Sequence, residues 1–154
     1  MEPELAKALA RLKTSADRLN TLCDQAAANV RAIEAYLSDE CRVGITCEIV
    51  VEHSDDDDNP FALKLAYGRW ADKFRVFLSW NHFRYPEADE SKPWTECSRD
   101  EKLKTIEFLP TLVQKIAEET EARISRAASA LAVLDKAIPP VVTSAKPKGG
   151  VKNA

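Results

Sequence analysis

Five side chains of metal-binding type, Cys41, Cys47, His53, His82 and Cys97, are scattered along this 154-residue sequence. Zinc sites draw on ligand pairs about two to four residues apart. Here five residues separate Cys41 from Cys47, and five separate Cys47 from His53. The spacing argues for ordinary thiols, and no metal or other cofactor is expected. The carboxylate run Asp55–Asp58 has charge enough for a divalent cation. A calcium loop starting at Asp55 would need glycine at its sixth position and glutamate at its twelfth, where Pro60 and Ala66 stand. The run reads instead as a solvated turn whose charge discourages edge pairing. For nucleophilic catalysis there are two histidines, but no Gly-x-Ser-x-Gly, Walker loop, GxGxxG or HExxH. No catalytic residue is assigned, and the chain is read as a non-enzyme.

The stretch from Gly68 to Pro86, GRWADKFRVFLSWNHFRYP, interleaves aromatic rings with bases. Rings beside cations can stack nucleobases and hold phosphates. Arg69, Lys73, Arg75, His82 and Arg84, with the lysines of the C-terminal tail, would form such a face. The formal net charge of −3 works against it, and the body without that basic tail is more acidic still. The other use of exposed rings is protein recognition, which favours large aromatic anchors. Trp70, Phe77, Phe83, Tyr85 and Trp94 are the candidates for a partner surface. On that reading Trp94→Ala would weaken a complex and leave the fold intact.

Three kinds of element must position these residues. Leu5, Leu9, Leu12, Ala16, Leu19, Cys23, Ala26, Val30, Ile33 and Leu37 recur at spacings alternating between four and three, a heptad seam. They predict a helix over 3–38, with Pro3 tolerated at its start. Ala16, Ala26, Ala27 and Ala28 make its middle slim, a place for a bulky side chain from a partner. From residue 43 the period becomes two. Val43–Val51, Phe61–Tyr67 and Phe74–Trp80 predict three strands, each with one apolar face, in an antiparallel meander. That parity puts Glu48 and Glu52 on the outer face with Arg75 and Phe77. A short edge strand is expected at Phe83–Tyr85, closed by Pro86. Ser98 and Glu101 form a capping-box pattern. A short helix over 99–107 then leads through a kink at Pro110 into a long helix over 110–138, stopped by Pro139-Pro140.

The expected fold is α+β, of order α-β-β-β-α, with two long antiparallel, coiled-coil-like helices flanking a three-stranded meander. Residues 1–139 form one domain, and 140–154 a disordered basic tail. The even cysteine count permits two disulfides, but free thiols are expected in a cytoplasmic chain with no apolar run long enough for a membrane. The sequence therefore points to an accessory protein that uses the coiled-coil helical hairpin and the small sheet to bind a partner protein or itself as a homodimer, with nucleic-acid binding through the basic-aromatic hairpin and lysine tail as the alternative.

Overall fold

The computed structural model describes residues 2–139; the expected tail lies outside them. The unbroken heptad region forms α1 (Pro3–Ala35), 33 residues with Pro3 at its first turn. It runs into a π-helical turn, Tyr36–Glu40, and Arg42, at φ 53°, leads the chain away. Strands β1 (Cys47–Ser54), β2 (Phe61–Trp70), β3 (Lys73–His82) and β4 (Glu90–Pro93) pair antiparallel in chain order. α2 (Arg99–Thr105) starts at Ser98, whose hydroxyl accepts from the Glu101 amide while its own amide donates to the Glu101 carboxylate. That bond holds the Glu101 carboxyl below its ordinary pKa. A 3-10 turn, Ile106–Phe108, makes the break expected at Pro110, and α3 (Leu109–Ala137) follows. Two long helical segments thus flank an antiparallel sheet, with one strand more than the sequence indicates.

The fourth strand is Glu90–Pro93, and Phe83–Tyr85 is not a strand. After β3 the Phe83 amide donates to the Pro60 carbonyl, and Asp89 accepts from the His82 amide at 2.6 Å. These bonds turn the chain through a 3-10 turn at Pro86–Ala88, and pairing with β3 begins at Glu90. Glu-Ser-Lys-Pro carries no apolar alternation because an edge strand need not bury both faces. Past Pro93, β3 has a bare edge. There the Glu34 carboxylate, from α1, accepts from the Val76 amide at 2.7 Å and lies 3.7 Å from the Arg75 guanidinium. A side chain thereby fills a backbone partner's place.

The inner face of the sheet carries Cys47, Leu63, Leu65, Tyr67, Val76 and Leu78, which join Ala26, Ala27 and Val30 of α1 and Leu109, Leu112 and Ile116 of α3 in one core. Trp94 sits in this core with 0% exposure, contrary to its expected place on a partner surface. α1 packs against the 3-10 turn Trp94–Glu96. Ala26 and Ala27 of the slim stretch are buried in the same core, so that part of it is covered within its own chain and not by a partner. The indole N–H donates to the Thr105 hydroxyl at 2.9 Å, which donates on to the Glu101 carbonyl, so the buried polar atoms are satisfied. A second correction concerns β1. A bulge between Val50 and Glu52 moves Glu52 opposite Leu63, onto the helix-facing side, where it meets Lys104 of α2 at 2.9 Å. Strict parity had put it outside.

Packing divides the chain into two units, one ending at Ala117 and the other starting at Glu118. The core lies in the first. Among the described residues of the second, none is buried, and Ile124, Leu131, Val133, Leu134 and Ile138 are exposed. Among the described residues no helix is long and apolar enough to cross a membrane.

Trp94→Ala should cost about 3–5 kcal/mol in urea unfolding, as for other large core aromatics. A loss below ~1 kcal/mol would place the indole outside the core. The hairpin turn between β2 and β3 has positive φ at Ala71 (57°) and not at Asp72, the pattern of a turn that favours glycine first. Ala71→Gly should therefore raise stability by about 1 kcal/mol in the same assay.

Candidate protein-interaction surface

The sheet register sets where the aromatic and basic candidates lie. Gly68 faces Arg75, Ala66 faces Phe77 and Trp70 faces Lys73 across β2 and β3, so these share the outer face. Trp70 and Phe77 stack there, ring centroids 5.4 Å apart, both half-buried. On the same face a Cβ added at Gly68 would press on the Thr46 side chain at 3.1 Å and meet Phe77 only in ordinary contact at 3.5 Å. Phe83 (62% exposed) and Tyr85 are open to solvent, but they follow the opposite end of β3. β3 is ten residues long, so its ends lie roughly 30 Å apart, and Phe77 at its middle is about 20 Å from Phe83 along the chain. The five aromatics therefore form no single patch: one pair on the sheet, one pair in a distant loop, and Trp94 in the core.

The basic residues divide in the same way. Arg69 and Lys73 are exposed near the hairpin turn, and Arg84 is exposed at the far end. His82 is half-buried, its ring beside Phe61 and its Nδ1 3.4 Å from the Asn59 side-chain oxygen. Arg75 bonds the Thr95 hydroxyl at 2.9 Å and pairs with Glu34 and Glu96. A cleft of about 410 Å³ opens here, lined by Arg31, Asp39, Lys73 and Phe74 as well as Glu34 and Arg75. Its charges are mixed, and Glu34 already holds the β3 edge.

The catalytic and metal-type residues stay apart. His53 lies opposite Ala62, which lies opposite Asn81, whereas His82 lies opposite Phe61. Neighbouring strand positions alternate in face, so the two imidazoles are on opposite sides of the sheet. His53 is 3.7 Å from Asp55. Among the described residues no three His, Cys, Asp or Glu side chains gather as a metal site. None of the four cysteines is paired in a disulfide.

An exposed apolar stripe lies on α1. Leu5 (52% exposed), Leu9, Leu12 (63%), Leu19 and Leu22 lie open, four of them on the heptad seam and Leu22 on its flank. The buried positions of this helix begin only at Cys23. The change comes one turn past Asn20, which accepts from the Arg99 guanidinium of α2. Further along, the same seam enters an apolar groove of about 250 Å³ lined by Ala26, Ile33, Ile106, Pro110 and Val113. The sequence points to this seam as a contact surface, but the residues it singles out individually are the aromatic rings and not these leucines. No family model, curated protein or solved structure matches the chain.

The thiols allow a direct test of this placement. Cys41 is exposed, and Cys23, Cys47 and Cys97 are buried. Burial, helped by the nearby Glu101 carboxylate, pushes the Cys97 thiol from an ordinary 9.0 up to about 11. Alkylation of the folded chain at pH 8 should therefore label Cys41 alone, read by peptide mass. Label on Cys97 would contradict its burial. Between pH 9 and about 11 the unfolded chain ionises this thiol before the folded one does. Stability should fall through that window, and less steeply in Cys97→Ala.

Proposed function

We propose that this chain is a non-enzymatic interaction protein whose binding surface is the leucine seam on the first half of α1. The observation that carries the reading is that seam's exposure: residues 3–22 of a 33-residue helix contribute no buried side chain to the core, yet keep leucine at heptad spacing. A helix this long beyond its packed part has little to hold it in water, since most helical stability in proteins comes from burying an apolar face. Four leucines in register are the pattern that an opposing helix covers. The rings of Trp70 and Phe77 are a smaller second contact area. The nucleic-acid alternative draws less support, because its cations lie at two ends of the sheet and Arg75 is already paired with carboxylates.

The double variant Leu9→Glu, Leu12→Glu addresses the seam without touching the core. At dilutions where the parent is monomeric, its urea unfolding should stay within ~0.5 kcal/mol of the parent, as for surface positions. Every complex that the parent chain forms on crosslinking in its native extract, self-complexes included, should disappear. A variant that loses its cooperative transition would make the seam core, and one that keeps every complex would leave the seam without this role.

A further inference from the structure

The α1 seam has a counterpart in the same sequence, and the identity of its partner rests on the reading just given. From Ile138 backwards, Leu134, Leu131, Ala127 and Ile124 recur at spacings four, three, four, three; from Leu5 forwards, Leu9, Leu12, Ala16 and Leu19 do the same. Laid antiparallel with Leu5 opposite Ile138, Leu12 falls opposite Leu131, and the one small residue of each series, Ala16 or Ala127, falls opposite the other. On one flank of the seam the positions nearest one another, Ser15 with Ala130 and Ala8 with Ala137, are small and uncharged. On the other flank Lys13 meets Ala128 and Ala6 meets Asp135, so no like charges oppose and the backbones can approach. In the single chain the leucines and isoleucines of both series are exposed, Leu12 at 63% and Leu131 at 58%, and Ala16 is half-buried.

We propose that a second copy of this chain covers the α1 seam with its own 124–138 seam, reciprocally, in that antiparallel register. Area separates this from α1 packing on α1. A leucine has roughly 100 Å² of apolar side chain to lose, so a half-exposed one leaves about 50 Å² to cover. α1 on α1 covers four such residues per copy, roughly 400 Å² in all, well short of the ~1,200–2,000 Å² of stable interfaces. The reciprocal arrangement makes the contact twice by two-fold symmetry and covers roughly 800 Å² before alanines and side-chain stems are counted, which brings that range within reach.

The test uses the full-length chain with Cys41→Ser to remove the exposed thiol. Chains carrying Ala16→Cys are mixed with chains carrying Ala127→Cys and oxidised with copper phenanthroline. The expected product is a disulfide dimer of twice 17.1 kDa, at least ten-fold more abundant than from either variant alone, with light scattering giving the same doubled mass for the parent chain. Crosslinking confined to the Ala16→Cys chains would replace the register with α1 on α1. A chain carrying both cysteines that closes on itself at monomer mass would assign the seam to its own chain. A parent mass of 17.1 kDa with no mixed crosslink would remove the second copy altogether. The glutamate variant would then decide separately whether the seam serves a different protein.

Discussion

The hydrogen bond from the Trp94 indole to Thr105, inside a core that also holds Ala26 and Ala27, fixes the relation of most elements in the first unit. Trp94 immediately follows β4, Thr105 ends α2, and the alanines belong to α1. A large ring needs small residues in the same core if the interior is to reach native density, and Ala26 and Ala27 are two such residues. The ring's one polar atom needs an acceptor, and Thr105 supplies it from a helix whose start is set by the Ser98–Glu101 box. Shifting α2 by one residue would rotate Thr105 away and leave an indole N–H unpaired in the interior, at a cost of about 1–3 kcal/mol. Helix cap, helix register and core ring are therefore one coupled arrangement.

The same coupling reaches the sheet. β4 is only four residues long, so it leaves part of β3 without a neighbour, and Glu34 of α1 accepts the amide left open at Val76. Because that carboxylate also faces Arg75, the outward-reading base of the hairpin is tied to the fold. Glu52 shows the corresponding effect at the other edge. Once the bulge turns it toward the helices, its charge is met by Lys104, and both edges of the sheet are linked to helices through a charged side chain.

What the sequence made legible followed from periodicity. The heptads gave α1, the alternation gave three strands and their inner faces, and Ser98, Glu101 and Pro110 gave the start and break of the second helical segment. Periodicity failed where one residue broke it or where no face was buried. A single extra residue at the bulge reversed Glu52, because a one-residue slip exchanges faces. Glu90–Pro93 has no apolar face to announce a strand. Trp94 was misplaced for a different reason: a tryptophan in a polar loop looks the same whether it meets solvent or the interior, and only the alanines more than sixty residues earlier say which. Those alanines were read as a gap for a partner; the gap was real, and the partner was internal.

The heptad pattern on α1 has two fates, and the difference lies in residue size. From Cys23 to Leu37 the seam is mostly small or β-branched, and the sheet, Trp94 and the start of α3 close over it. From Leu5 to Leu19 it is mostly leucine, the residue with most to gain from a helical neighbour, and it is left open. If helix propensity alone were at stake, alanine or lysine would serve at those positions as well as leucine. Leucine adds apolar area in a line, which is useful only when something covers it. An uncovered line of this kind on a helix about 50 Å long favours aggregation as readily as function, so the register that selects one partner over many is the property the sequence has to encode. The matched positions of Ala16 and Ala127, each the only small residue in its series, are the part of the pattern that can do so, because a slip of one heptad in either direction sets each alanine against a larger side chain.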